Sequence, residues 1–372
     1  MKILHIADLH LGKKVGGYSL LEDQRYFLND TIRFMNEKGI KNIIIAGDIY
    51  DISSPSGETI SEFSNFLNNL RENKINAFII SGNHDSKDRV GYGSKLIKPN
   101  GIYINSNIKD AINPITVDDV NFYLIPYASA ADINSAFDQN FKQYGEAFAY
   151  FMGQINIDKN KINIAVSHQL VLMGDKNPSF GGSEEPIIGT LQGIPSKVFE
   201  DFTYTALGHI HKPQNISDNI RYSGSPLAYH INECEYEKTY TIIDIDNGKL
   251  SISTEEIVPL RKVTVLKDTL DSIVNNYPNN VNDYIYAIIT SDEVPNVMAI
   301  LKNRYPYTIG MRYEEKSNKQ GDFKQKLDDI ENISYDDLFS AFYKEHMEKD
   351  LTEFQKSLVS KLLKEVSSDE AW

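Results

Sequence analysis

This chain of 372 residues is poor in cysteine, tryptophan and net positive charge, and it has no long apolar run. The single cysteine, Cys234, excludes an internal disulfide. A small disulfide-stapled secreted scaffold is therefore ruled out, and a reducing cytoplasm is the expected setting. No stretch approaches the roughly 18 apolar residues of a membrane span, so no membrane is expected. The opening "MKILHIADLHLG" does not read as a signal peptide, because its apolar stretch is short and Asp8 interrupts it. The net charge of −14 has the wrong sign for a plain nucleic-acid-binding module. An enzyme whose carboxylates hold cations escapes that exclusion, because bound ions or a basic partner can carry the attraction to phosphate.

What is present is an ordinary globular balance, 41% hydrophobic and 24% charged, with length for two or three domains. Short apolar runs alternate with helical patterns in the first half. Candidate strands are 2–6, 42–46, 77–81, 121–125, 162–166, 202–207 and 239–245. Helices are expected from about Leu21 to Lys38, stopped by Gly39, and from about Ser61 to Asn73. Strand and helix in alternation imply an α/β fold. After Pro259 the pattern changes to a small α+β segment, with strands near 261–266, 284–290 and 307–313 and helices near 269–276 and 294–303. The tail is helical, with capping boxes at Ser334/Asp337 and Thr352/Gln355. Leu338 and Phe342 share one helical face, and Leu351, Phe354, Leu358 and Leu362 another. These helices pack either on their own domain or on another protein; the polar linker before them favours the partner.

Five polar motifs each end a candidate strand. They are "DLH" with Asp8 and His10, "GDIYD" with Asp48 and Asp51, "GNHD" with Asn83, His84 and Asp85, "SHQ" with His168, and "GHIH" with His209 and His211. Strand C-termini face the ligand crevice of open α/β sheets. Carboxylate, amide and imidazole donors without thiolate suit Mn, Fe or Zn. Seven such groups exceed the needs of one ion and suit two that share a carboxylate. Gly47, Gly82 and Gly208 would let backbone pass close to the ions. Any one motif is weak evidence, and a lone H-x-H is as readily a surface turn as a ligand pair.

In order and spacing the five motifs resemble the calcineurin-like metallophosphoesterase superfamily. "ILHIADLHLG", "IIAGDIYD", "SGNHDS" and "ALGHIHKPQ…RYSGSPL" resemble in particular the nuclease subunits of bacterial complexes with an SMC-like ATPase, over nearly the whole chain. The resemblance implies a four-layer α/β/β/α sandwich over 1–258, a small α+β DNA-capping domain over 259–325, and C-terminal helices over 326–372 that bind the ATPase. It implies two divalent ions, manganese being expected. Asp8, His10, Asp48 and His211 would hold one; Asp48 would bridge; Asn83, His168 and His209 would complete the second. His84 would act on the scissile phosphate or protonate the leaving oxygen. Asp85 either orients His84 or caps the turn. The archaeal and eukaryotic relatives have His where this chain has Asp51, so Asp51 is left as a support residue or a turn residue. Implied partners are the ATPase and double-stranded DNA ends and hairpins, with a nuclease homodimer inside a heterotetramer.

Lys13, Lys14, Lys87, Arg89 and Lys212 flank the motifs and either contact DNA phosphates or remain solvated surface charges. His5 lies inside the first strand and reads as a hydrogen-bonded core histidine. His230 and His346 match no motif. "FGGSEEP" lacks the G-K-[ST] of a phosphate loop and reads as a loop bordering the site. Two other readings compete with the nuclease. A small-molecule phosphodiesterase or phosphatase would have little use for the added domain and tail. A non-catalytic scaffold would not need to keep all seven ligand positions and His84.

Overall fold

The computed structural model describes residues 1–172, 174, 178–182, 193–246, 248–314, 339–340, 343–344 and 349–360. Met1–Tyr313 forms one compact unit and Glu314–Trp372 a second.

Two six-stranded sheets form the centre of the first unit. One is built from β1 (Lys2–Ile6), β2 (Asn42–Ala46), β3 (Asn76–Ile80), β4 (Ile102–Asn105), β11 (Thr239–Asp246) and β12 (Lys249–Glu256), in the order β12-β11-β1-β2-β3-β4. β1 to β4 are parallel, and β11 joins β1 antiparallel. The other contains β5 (Ile115–Val117), β6 (Val120–Ile125), β7 (Ile162–His168), β8 (Tyr204–Gly208), β9 (Gln214–Ser217) and β10 (Ile220–Tyr222), in the order β9-β10-β8-β7-β6-β5. β6, β7, β8 and β10 run parallel.

Side chains alternate along each strand, and both faces are buried, so these strands read as continuous apolar runs. Ile44, Ala46, Phe78 and Ile80 face Phe122, Leu124, Ile164, Val166 and Ala206 between the sheets. Phe78 and Phe122 stack there, with centroids 3.6 Å apart. Ile43, Ile45, Ala77 and Ile79 face the other way, onto α1 (Leu21–Lys38) and α2 (Gly57–Glu72). Tyr123, Ile125, Ala165 and Leu207 pack outward against α3 (Ala130–Phe137) and α4 (Tyr144–Met152). Helix, sheet, sheet and helix make the expected four layers. Each large apolar side chain sealed between them contributes about 1.5–3 kcal/mol.

α1 ends where the sequence places its stop, with Gly39 in the left-handed conformation (φ 66°). α2 begins four residues earlier than the apolar pattern indicates, because the Ser56 side chain caps it by accepting from the Thr59 N–H.

A three-stranded parallel sheet follows: β13 (Val263–Asp268), β14 (Tyr284–Ile289) and β15 (Thr308–Tyr313), with α5 (Leu270–Asn276) and α6 (Val297–Arg304). It has its own core of Leu266, Ile273, Ile285, Ala287, Ile289, Leu301 and Tyr305. Leu20, Leu227, Tyr229, Val263 and Tyr284 join it to the large sheets. Arg261 seals the joint, donating to Asp23 at 2.9 Å and to Glu22 at 2.7 Å, while the Tyr284 hydroxyl donates to Asp23 at 2.8 Å.

In the second unit the Thr352/Gln355 capping box is present: the Thr352 N–H donates to Gln355 Oε1 at 2.9 Å, and the Gln355 N–H to Thr352 Oγ1 at 3.3 Å. Ser334, Asp337, Leu338, Phe342, His346 and Leu362 lie outside the described residues, as does 183–192 with most of "FGGSEEP". Among the described residues no helix is long and apolar enough to cross a membrane.

Candidate metal centre

The loops that leave β1, β2, β3, β7 and β8 meet at one end of the two sheets. Backbone bonds lace the first two together: Asp8 N–H to Gly47 C=O (3.1 Å), His10 N–H to Asp48 C=O (3.0 Å) and Leu11 N–H to Ile49 C=O (2.9 Å). Four residues here adopt positive φ without being glycine: Asp8 (55°), His10 (41°), Asp48 (48°) and His209 (97°). Such backbone costs of order 1–3 kcal/mol per residue and collects at functional sites. A Cβ on Gly82 would overlap Asp48 Oδ1, and one on Gly208 would overlap the Ala46 carbonyl oxygen, so both positions need glycine for close approach.

The side chains converge on two sides of Asp48. Asp8, His10 and His211 offer donor atoms within 4.8 Å of one another, as do Asp8, Asp48 and His168, and His10, Asp48 and His84. His10 Nε2 lies 3.1 Å from His211 Nε2 and 3.5 Å from Asp48 Oδ2. On the other side, Asn83 Oδ1 lies 3.0 Å from His168 Nε2 and 3.1 Å from His209 Nδ1, and His168 Nε2 lies 3.3 Å from Asp48 Oδ2. Asp48 thus stands between the two groups. His168 Nδ1 donates to the Ala46 carbonyl at 2.7 Å, which leaves Nε2 as the donor atom. Asp8, His10, Asp48, His168 and His211 are buried, whereas Asn83 and His84 are exposed and His209 half-buried. The cluster therefore has a sealed floor and one open face.

Burial and pairing shift the ionisable groups of the cluster strongly. Burial would raise the Asp48 carboxyl, but His168 and His10 outweigh it and hold it well below the ordinary carboxylate range. Burial lifts Asp8 to about 6 against the pull of His168 and His211. Burial lowers His10 to about 4 and His209 to about 3, so both imidazoles are neutral near pH 7. Burial also works against a charged His168, yet Asp48 and Asp8 lift it to about 9. Asp8 Oδ2 is buried without a hydrogen-bond partner among the described residues. A buried, unpartnered carboxylate oxygen beside clustered imidazole nitrogens fits a divalent metal, which would supply the missing contact.

His84 lies at the open face. Its N–H donates to Asp48 Oδ1 at 3.0 Å, its ring Nδ1 donates to the Asp51 carbonyl at 2.8 Å, and its ring meets that of His10 edge-on at 4.8 Å. Asp85 is buried and clamps two loops. Its Oδ2 accepts from Ile49 N–H (3.1 Å) and Gly82 N–H (2.9 Å), and its Oδ1 from Tyr50 N–H (2.9 Å). The Asp51 carboxylate lies 3.4 Å from His10 Nδ1 and accepts from Lys13 Nζ at 2.8 Å.

The flanking cations are partly engaged. Lys13 is paired with Asp51, Lys87 with Asp132 at 2.6 Å, and Arg89 approaches Ser54 Oγ at 3.4 Å. Lys212 lies over the Tyr236 ring at 5.4 Å, and Lys14 starts a short strand, Lys14–Val15. His5 Nδ1 pairs with the Tyr204 hydroxyl at 3.0 Å in the core, and His230 Nδ1 caps a turn by accepting from Asn232 N–H.

Sequence reasoning misses the residues that brace this floor. Gln24, in the first turn of α1, donates to the carbonyls of His10 (2.7 Å) and Leu9 (3.2 Å) and accepts from Gly12 N–H (2.9 Å). The Tyr229 hydroxyl donates to the Leu9 carbonyl at 2.5 Å, and its ring packs edge-on against His10 and His211. Glu233 and Lys238 lie buried behind His211.

A doubled α/β sandwich with carboxylate, amide and imidazole donors converging at its strand ends defines a metal-dependent phosphoesterase. The calcineurin-like phosphoesterase profile matches residues 1–213. The chain is 34% identical to SbcD, the nuclease component of the SbcCD complex of Staphylococcus epidermidis, over 98% of both chains. The chain belongs to the calcineurin-like phosphoesterases, on the branch of the SbcD nucleases. Among solved structures, it is similar to a Thermus thermophilus protein (12% identity, 69% of this chain and 99% of that one, TM-score 0.42). It is also similar to a dimetal phosphatase from Danio rerio (10% identity, 69% and 96%, TM-score 0.41).

Proposed function

We propose that this chain is the nuclease component of an SbcCD-type complex, hydrolysing DNA phosphodiester bonds with two divalent ions, manganese being the expected metal. The observation that carries this reading is the convergence of seven donor side chains and His84 on one open-faced cluster, in a chain alignable end to end with a nuclease of that complex. Asp8, His10, Asp48 and His211 would hold one ion, Asp48 both, and Asn83, His168 and His209 the second. When bound, such a pair supplies Lewis acidity and charge neutralisation to a phosphodiester. His84 keeps one proton on Nδ1 against the Asp51 carbonyl, and a second proton on Nε2 is the one it can deliver to the leaving oxygen. Lys14, Arg89 and Lys212 would meet DNA phosphates, and Lys13 and Lys87 would do so by releasing Asp51 and Asp132.

The expected activities are exonuclease action on double-stranded ends and endonuclease action on hairpins, in cytoplasmic DNA repair and recombination. The segment 259–325 is read as a DNA cap on the nuclease domain 1–258; its separate core and its charged, aromatic joint support that reading. The tail 326–372 is read as the docking element for the SbcC-like SMC ATPase, supported by the exposed Phe354 and Leu358 on one helical face. A homodimer within the heterotetramer is the expected assembly.

The test is cleavage of an end-labelled DNA hairpin with Mn2+, by the chain alone and with its ATPase and ATP. Cleavage by the wild type, lost in His84→Ala with Mn2+ still bound, is expected. No hairpin cleavage under either condition, with turnover of a small phosphodiester instead, would refute the reading.

A further inference from the structure

Glu233 belongs to none of the strand-end motifs, yet it is fully buried. Its two carboxylate oxygens have separate partners. Oε1 lies 3.2 Å from His211 Nδ1. Oε2 accepts from Lys238 Nζ (2.6 Å), Ser225 Oγ (3.2 Å) and Tyr229 N–H (3.2 Å). The main chain of His211 is held by the same cluster: its carbonyl accepts from Lys238 Nζ at 3.3 Å and from Ser225 N–H at 3.1 Å. The other ring nitrogen, Nε2, points into the donor cluster, 3.1 Å from His10 Nε2.

We propose that Glu233 is a positioning residue for His211. It holds the proton on Nδ1 and sets the ring plane, so that Nε2 presents its lone pair to the metal site. Lys238 holds the carboxylate in place, and Ser225 ties the pair to the His211 backbone. A carboxylate behind a ligating imidazole fixes the tautomer and raises ligand basicity, and its loss weakens metal binding about 10–100-fold. A bland ion pair, in which Glu233 serves only to neutralise the buried Lys238, predicts a different outcome, because deleting both charges would then restore the site. The inference rests on the metal reading above.

Two measurements separate these cases. In the metal-free wild type, long-range proton–nitrogen correlation on labelled histidine should show His211 as the Nδ1–H tautomer. Calorimetric titration with Mn2+ should show two bound ions in the wild type. In Glu233→Gln/Lys238→Met, which leaves no buried charge unpaired, one ion should bind about 10–100-fold more weakly. Wild-type affinity for both ions in the double variant would overturn the proposal, as would an Nε2–H tautomer in the wild type. The tautomer alone decides if the double variant fails to fold. A wild type that takes up no Mn2+ would instead sink the metal reading, which the tautomer measurement does not depend on.

Discussion

Asp85 provides the sharpest test of how the site is built. Sequence alone leaves it either an orienter of His84 or a cap on the turn. In the structure its carboxylate accepts three backbone N–H groups from the loops after β2 and β3, the loops that carry Asp48 and Asn83. Burial and the neighbouring Asp48 lift the carboxyl to about 6 despite those donors, so it is ionised at pH 8. Asp85→Asn keeps one oxygen, which can still serve Ile49 and Gly82, but turns an NH2 toward the Tyr50 N–H. One orphaned buried donor costs about 1–3 kcal/mol, and Asp85→Ala, which orphans all three, costs roughly 3–9 kcal/mol. Each variant should lower the thermal midpoint of the metal-free protein, alanine more than asparagine, and should weaken Mn2+ binding in the same order. The assay is thermal unfolding in chelator, paired with calorimetric Mn2+ titration. A variant with no nuclease activity but wild-type stability and wild-type Mn2+ binding would refute the clamp and return Asp85 to the chemistry of His84.

Gly82→Ala places a methyl group where Asp48 Oδ1 and its backbone N–H now lie, so Mn2+ binding should fall roughly tenfold or more while far-UV dichroism stays native; unchanged binding would show that Asp48 has room to shift. His168 is lifted from 6.5 to about 9 by Asp48 and Asp8, against burial. Its folded state therefore binds the proton more tightly, and the stabilisation is complete below pH 6.5 and is lost as pH rises toward 9. The metal-free thermal midpoint should fall across that window by an amount worth at most about 3–4 kcal/mol, and His168→Gln should flatten the slope; an equal slope in the variant would count against this pairing.

The parts of the fold visible in the sequence are those where burial alone dictates composition. Ile43, Ile44 and Ile45 have a sheet on one face and helices on the other, so no polar alternation is tolerated. The strand Lys249–Glu256 escapes the sequence because it lies at a sheet edge and is largely solvated, and "KLSISTEE" shows little apolar content. The ligand set is legible for the opposite reason: Asp8, Asp48, His168 and His209 interrupt or end runs that are otherwise apolar. Glu233 has no such contrast. It sits in "NECEYEK" beside Glu235 and Glu237, and only its burial distinguishes it from them.

The left-handed backbone at Asp8, His10, Asp48 and His209 shows why local preference could not reveal the site's shape. Four such residues carry roughly 4–12 kcal/mol of conformational cost. A loop acting alone would relax. Here the cost is offset by bonds between loops: His209 N–H to Asp8 Oδ1 (2.8 Å), His84 N–H to Asp48 Oδ1 (3.0 Å), and the three backbone bonds from Asp8, His10 and Leu11 into the β2 loop. Each strained residue is thus held by a partner from a different strand end, and two of the carboxylates doing the holding are themselves candidate ligands. All four strained residues are also candidate donors to the metal. For that reason a substitution anywhere in the set should move metal affinity and stability together, whereas a change at His84, whose ring stands at the open face, should alter cleavage while leaving both in place.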